Sequence, residues 1–444
     1  MNRASLRFKG AVHWAWVVLA VCFVNLFVNY SVRLGYGVVL PEMIRELNLS
    51  RTAGGSIYNA YLFVYIALTP LTGLLTDRIG ARPVIAVCSL ILGIGVVLMG
   101  TVQGVGSACL FYAIVGLGAT GMWTPVITVV QRWFDVDKRG LALGILSSGY
   151  GLGFAAVGVV FPWIVQRFDW RFAWYFLGAA AVALFFVNAL LLRSDPETSG
   201  CRPWGDNEYP DATAVEAKAG KPAIGQMFRS RTFWMIGLSY LCVAYGLYGL
   251  TTFMVDFAKY QLGVSLHKAS LLATIHGFGQ IAGVLTILPL SDRLGRRTTV
   301  LISNLAITLA LTGILFVGRS WLLLSVLVGL LAVFYGATFP LYGACAGDYF
   351  PRSLMGTVIG AWTPFYGIGA IAAHWVSGIL RDATGSYFTA FAINAFMAAL
   401  GLALFLFVNG PRPESGERTF DAAKPISPPS PHPQSGKSGV AQPL

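Results

Sequence analysis

One positive charge stands where the chain is otherwise apolar. Arg33 lies in Asn29-Tyr30-Ser31-Val32-Arg33-Leu34-Gly35-Tyr36-Gly37, between apolar residues running from Trp14 to Val28 and the apolar Val38, Val39 and Leu40. A guanidinium stays charged at any physiological pH, and in hydrocarbon it is costly unless water, a protein group or an anion meets it. Two roles fit the residues: Arg33 reaches an interface or a backbone carbonyl, or it holds an anion. Asn29, Arg33 and Tyr36 are spaced by four and three, so they share roughly one helical face. An amide and a hydroxyl would then flank any carboxylate held by the arginine.

Groups able to move a proton are few. Asp256, in Thr252-Phe253-Met254-Val255-Asp256-Phe257, reads either as a titrating carboxylate or as a residue at a water-wetted rim. His276 reads equally as a group titrating near neutral pH or as a neutral hydrogen-bonding residue, and His374 as a structural residue or part of an outer gate. Polar-tipped aromatics and amides in Gly-rich stretches complete the candidates: Asn29, Tyr30, Tyr36, Trp123, Tyr150, Tyr245, Tyr248, Tyr335, Tyr342, Trp362 and Tyr366. Each is also a plausible packing or interface residue. Tyr150 and Tyr366 stand out because they hold equivalent places in an internal repeat.

The elements that must position these groups are membrane helices. The chain has 444 residues, 56% hydrophobic and only 11% charged, against roughly 25% charged for soluble domains. The net charge of +12 does not mark a nucleic-acid binder, because the basic residues sit in short loops and not on one face. Runs of about 20 apolar residues predict spans near 13–40, 53–75, 83–102, 106–131, 140–163, 170–192, 232–257, 267–290, 298–317, 321–347, 355–380 and 386–408. The basic residues before the first run are not followed by a small-residue cleavage site, so that run reads as a span and not a signal peptide. The six cysteines form no Cys-x-x-Cys pair, and neither a disulfide framework, a metal site nor a cofactor is expected. His-Glu-x-x-His, nucleophile-elbow and phosphate-loop patterns are missing, which argues against an enzyme.

Most Lys and Arg residues fall in segments that share a side with both termini, placing those termini in the cytoplasm. The halves repeat. Asp77-Arg78-Ile79-Gly80 returns as Asp292-Arg293-Leu294-Gly295, offset by 215. Trp133-Phe134 with Gly140 returns as Tyr349-Phe350 with Gly356, and Tyr150-Gly151-Leu152-Gly153 as Tyr366-Gly367-Ile368-Gly369, offset by 216. The expected architecture is all-α: a six-helix bundle over 1–192, a cytoplasmic linker over 193–231, a second six-helix bundle over 232–409 and a disordered tail over 410–444. Parallel repeats of this kind place a substrate cavity between the halves near the bilayer midplane.

Gly73-Leu74-Leu75-Thr76-Asp77-Arg78-Ile79-Gly80-Ala81-Arg82 resembles the signature loop of the major facilitator superfamily, and Ser291-Asp292-Arg293-Leu294-Gly295-Arg296-Arg297 is its second copy. That resemblance implies twelve helices and makes Asp77, Arg78, Arg82, Asp292, Arg293 and Arg297 cytoplasmic gate residues. Trp14-Ala15-Trp16-Val17-Val18, with Gly347-Asp348-Tyr349-Phe350 and Gly356-Thr357-Val358-Ile359-Gly360, resembles the monocarboxylate transporters. Tyr30-Ser31-Val32-Arg33 followed by Pro41 is similar to the first helix of the anion:cation symporters, in which the matching arginine contacts the substrate anion.

There are departures. The Asp and Arg that monocarboxylate transporters carry in span eight align here with Gln280 and Gly283. The span-eight Arg and span-eleven Lys of the related oxalate:formate exchangers are also missing. One arginine matches one carboxylate. The resemblance therefore implies an inner-membrane secondary transporter of a small organic monoanion, such as lactate or pyruvate, with the proton as co-substrate. Its substrate-binding residues would be Arg33, Asn29, Tyr36, Tyr150, Tyr366, His276, Gln280 and Trp362, with Asp256 and His276 as proton-coupling candidates. The expected partners are the anion, the proton and the lipid bilayer, with the chain monomeric. An exchanger without proton coupling and a drug/proton antiporter are the alternatives. The antiporter loses ground because the Gly-rich fifth span leads to Val159-Val160-Phe161-Pro162, not to Gly-Pro.

Overall fold

In lipid every backbone polar group must be satisfied within its own segment, so long apolar runs become helices. The structure, a computed structural model, describes residues 13–205, 224–351 and 354–410. The tail expected to be disordered lies outside them, apart from its first residue. Twelve long helices run in order: α1 Trp14–Glu46, α2 Arg51–Ile79, α3 Ala81–Met99, α4 Val105–Trp133, α5 Val136–Arg167 and α6 Trp170–Leu191 form the first half. The second half comprises α7 Arg231–Gln261, α8 Leu266–Leu294, α9 Arg296–Leu315, α10 Trp321–Tyr349, α11 Met355–Thr384 and α12 Phe388–Leu406. Among the described residues eleven of these are apolar and long enough to cross a membrane; α11 is as long, but its Gly, Thr, Tyr, Trp and His residues dilute its hydropathy.

Local chemistry explains the boundaries. Ser50, Ser265 and Ser320 cap α2, α8 and α10, each side chain accepting a backbone N–H of the first turn. Gly80 joins α2 to α3, and Gly295 joins α8 to α9, at φ +87° and +81°. A side chain strains at such angles, and glycine permits the one-residue corner that reverses the chain. This is the structural content of the repeated Asp-Arg-x-Gly motif.

The halves meet chiefly through two helix pairs, α2 with α11 and α5 with α8, and also where α1 meets α7. Both main crossings depend on small residues. A Cβ on Gly55 would stand 2.7 Å from the His374 carbonyl, and one on Gly378 the same distance from the Thr52 Cα. A Cβ on Gly151 would lie 2.6 Å from the Gly277 carbonyl. Farther toward the signature loops, Gly140 and Gly144 of α5 and Gly356 and Gly360 of α11 face open space. The helices therefore touch from mid-height to the end remote from those loops, and part toward the loop end. The start of the linker is not free chain: Trp204 packs against Trp16 and Phe134, with centroids 5.0 and 5.7 Å apart, and its backbone pairs with Trp133 and Asp135.

Candidate functional site

Arg33 lies at mid-height on α1, where the halves face each other, and is only 7% exposed. One guanidinium nitrogen donates to the Tyr248 hydroxyl of α7 at 2.5 Å. The rings of Tyr30, Tyr61, Tyr65 and Tyr248 surround it at 5.7, 5.8, 5.3 and 5.9 Å. Among the described residues no carboxylate is within ion-pair distance of it. Insertion scales put an arginine at the bilayer centre at about 3 kcal/mol unfavourable, and each desolvated cation–π contact returns about 1–2 kcal/mol. Four rings can hold the cation there, but they cannot neutralise it.

Other polar atoms around Arg33 are also unspent. The Arg33 Nε, the Asn29 Oδ1 and the hydroxyls of Tyr58, Tyr61 and Tyr240 are buried without a hydrogen-bond partner among the described residues. The Tyr366 ring lies tilted 4.7 Å from Tyr240 and 5.6 Å from Tyr248, and Tyr248 lies 6.5 Å from Tyr335. Both halves thus supply hydroxyls and ring edges around one uncompensated cation. Buried polar groups are normally paired, so this set is suited to a small anion that accepts from Arg33 and the hydroxyls. On the loop side Tyr150 closes the site: its hydroxyl donates to the Gly336 carbonyl at 3.1 Å and its ring lies 5.3 Å from Tyr30. Trp123 of α4 meets Phe339 of α10 at 5.7 Å one layer farther.

Two buried histidines flank a break in α7, where the helix ends at Thr251 and resumes at Met254 before a π-helical turn, Phe257–Gln261. His276 bonds Gln280 through Nδ1 at 2.9 Å and faces Thr251 through Nε2 at 3.4 Å. These partners belong to the second half. His374 instead joins the halves: its Nδ1 meets the Asn59 Oδ1 of α2 at 2.7 Å, and its Nε2 meets the Thr252 hydroxyl at 2.9 Å.

The end remote from the signature loops is sealed by charges. Arg51 of α2 pairs with Asp256 of α7 at 3.3 Å, and the Tyr387 hydroxyl donates to the same carboxylate oxygen at 2.6 Å. Asp256 is fully buried, so it is not at a wetted rim. The Asp382 carboxylate of α11 accepts the first N–H groups of α2, from Arg51 and Thr52, at 2.9 and 2.8 Å, where the helix dipole favours an anion. Lys259 pairs with Glu42, and Tyr260 donates to the Pro41 carbonyl at 3.2 Å.

At the loop end the charges stay within each half. Arg82 donates to the Ala189 carbonyl, tying α3 to α6, and Arg297 donates to the Val408 and Leu406 carbonyls at 2.7 and 3.1 Å, tying α9 to α12. Arg296 pairs with Asp292 at 2.5 Å and lies 3.8 Å from Asp348. Asp77, Arg78 and Arg293 are exposed and make no ion pair among the described residues. In this conformation Arg82, Arg297 and Asp292 brace their own halves, and no ion pair of a gate candidate bridges the two among the described residues.

Of the sequence candidates, Arg33, Asn29, Tyr150 and Tyr366 come together at the site, with Tyr30, Tyr248 and Tyr335. His276 and Gln280 lie one layer away, behind Tyr335, whose ring is 4.9 Å from His276. Tyr36 and Trp362 need correction as substrate residues. The Tyr36 hydroxyl is spent on the Gly54 carbonyl at 2.7 Å inside the first half, and the Trp362 indole on the Phe233 carbonyl at 3.1 Å inside the second. Sequence reasoning missed the α2 contribution. Tyr58, Tyr61 and Tyr65 recur at i, i+3 and i+7, the spacing of one helical face, and that pattern was the available signal.

Comparison with known proteins agrees with this architecture. The profile of the Major Facilitator Superfamily matches residues 22–259 and 236–435. A probable sulfoacetate transporter of Cupriavidus necator, SauU, is 25% identical over 90% of this chain and 95% of its own length. Monocarboxylate transporter 12 of Rattus norvegicus is 23% identical over 86% of this chain and 83% of its own. A bacterial homologue of the human lysosomal transporter Spinster, solved inward-facing and occupied, superposes with a TM-score of 0.70 at 16% identity, covering 90% of this chain and 97% of that one. With twelve long helices among the described residues, two repeated halves, the signature loop in both and the family profile matched across nearly all of it, the chain belongs to the Major Facilitator Superfamily of membrane transporters.

Proposed function

We propose that this transporter carries a small organic monoanion, a monocarboxylate such as lactate or pyruvate, together with a proton. It would do so by alternating access between its halves. The observation that carries the reading is Arg33: buried, uncompensated by any carboxylate among the described residues, and ringed by tyrosines from both halves. One fixed cation balances one carboxylate, and the unspent hydroxyls suit a second polar atom on the same small acid. The names of the relatives, one a sulfoacetate and one a monocarboxylate transporter, support an acidic substrate. The positive-inside bias supports a cytoplasmic position for the signature loops and both termini. The sealed end then faces outward, and the halves part on the inner side of the Tyr150 and Trp123 contacts.

Exchange without protons is the second reading, favoured by the lack of a titrating carboxylate beside Arg33 among the described residues. Uptake of radiolabelled lactate and pyruvate into proteoliposomes, with and without an inward acid gradient, tests both. The proposal expects uptake that the gradient accelerates. Uptake indifferent to the gradient favours exchange, and indifference of the protein to every organic acid in a competition panel would remove the anion reading.

A further inference from the structure

Among the described residues, His374 is the histidine whose hydrogen bonds join the two halves. It is fully buried in α11, where the Gly55 backbone of α2 lies close against it. Asn59 donates its amide to the Ile371 carbonyl at 3.0 Å, which leaves its Oδ1 as acceptor. The Nδ1 of His374 therefore carries the hydrogen, and Nε2 accepts from Thr252. In this conformation the ring is a neutral imidazole with both nitrogens occupied. One of its two partners, Asn59, belongs to the opposite half, so separation of α2 from α11 must expose the ring to water; a proton then adds at Nε2, and the Thr252 hydroxyl turns from donor to acceptor.

The ring is also within reach of the site's charge. Tyr58 lies 4.6 Å from it and Tyr248 5.7 Å, and Tyr248 is the residue bonded to Arg33. The groups facing His374 are Asn59, Tyr58 and the Gly55 backbone from α2, Thr252, Tyr248 and Phe253 from α7, and Arg33 beyond the two tyrosines. The next charges along α7 and α2, Asp256 and Arg51, are paired with each other. Arg33 is thus the unbalanced charge that a proton on His374 would meet. With Arg33 empty, two like charges would share a low-dielectric space; with an anion on Arg33, that repulsion is cancelled.

We propose that His374 is the proton-carrying residue of this transporter, an inference that rests on the anion reading of Arg33. The cycle conserves charge. The empty site holds Arg33 positive and His374 neutral, a total of one positive charge. The loaded site holds Arg33 positive, the carboxylate negative and His374 protonated, again one. The moving halves therefore carry the same charge in both directions, and one proton accompanies one monoanion. His276 lacks this linkage, because its hydrogen-bond partners stay within one half.

The test is His374→Gln, which keeps an amide able to bond both Asn59 and Thr252, set beside His276→Gln and wild type in proteoliposomes with radiolabelled lactate. Wild type is expected to concentrate lactate at least tenfold better under an inward acid gradient, with no response to an imposed membrane potential. His374→Gln should lose that acceleration while keeping lactate/lactate counterflow within a few-fold of wild type, and uptake by His276→Gln should still be accelerated by the gradient, whatever its rate. Gradient-driven accumulation by His374→Gln equal to wild type overturns the proposal. Loss of counterflow together with accumulation also overturns it, since that pattern marks a structural residue. If wild type itself fails to take up or exchange lactate or pyruvate, the anion reading falls, and this inference with it.

Discussion

The two ends of the bundle hold their charges differently. At the sealed end, ion pairs and hydrogen bonds cross between halves: Arg51 with Asp256, Lys259 with Glu42, the α2 N-terminus with Asp382, and Asn59 with His374. At the loop end, Arg82, Arg297 and Arg296 find their partners within their own half. One end is a latch between moving bodies; the other, in this state, is a pair of braces. The lesson is that similar residue types, arginines and carboxylates at helix ends, do opposite work according to which half supplies the partner. Exposed pairs are worth little, whereas breaking a buried one by removing one partner costs several kcal/mol.

The comparison can be broken most severely at Gly378. Its missing Cβ lets Thr52 approach, and a valine there would collide with backbone that cannot move aside. Gly378→Val should hold the sealed end open and abolish net uptake. A probe for that opening is Ser377→Cys, a nearly isosteric change at a fully buried position, in a background without the six native cysteines. Its labelling by an impermeant maleimide from the sealed side should rise at least tenfold in the Gly378→Val protein. Next comes Asp256→Asn, which leaves Arg51 without its carboxylate. At about 3 kcal/mol for a broken buried pair, the equilibrium should shift toward the open latch by roughly 100-fold. The same maleimide assay reads this, and unchanged labelling would mean that the pair does not hold the halves together. The smallest effect is expected at the other end. Arg297→Ala removes a brace inside one half and should lower thermal stability by about 1 kcal/mol while leaving Ser377→Cys labelling unchanged.

Much of this was legible beforehand, for physical reasons. A bilayer admits only helices and closed barrels, and apolar runs of about 20 residues make helices, so the spans followed from apolar length, and the Asp-Arg-x-Gly corners from glycine's freedom at positive φ. Helix ends ran past the apolar runs: α1 continues from residue 40 to Glu46, because backbone hydrogen bonding does not stop where hydropathy does. Arg33 could be read because a charge in an apolar run demands an explanation. The tyrosines could not be sorted the same way, since a tyrosine suits a core, an interface or a cavity equally well. Tyr36 shares a face with Arg33, yet its hydroxyl is taken by Gly54, while Tyr58 and Tyr61 from a neighbouring helix supply the unspent hydroxyls. Asp256 could be read either as a titrating carboxylate or as a rim residue, because Arg51, the partner that permits its burial, stands 205 residues away.

Everything said of the site depends on Arg33 holding the substrate's charge. Equilibrium binding of lactate and pyruvate to the purified protein, compared among wild type, Arg33→Ala and Arg33→Lys at one pH, tests that claim directly. The account predicts that Arg33→Ala weakens binding by roughly 100-fold or more, about 3 kcal/mol, and that Arg33→Lys recovers part of the loss, because it restores the charge without the fork. Binding by Arg33→Ala as tight as that of wild type would contradict it.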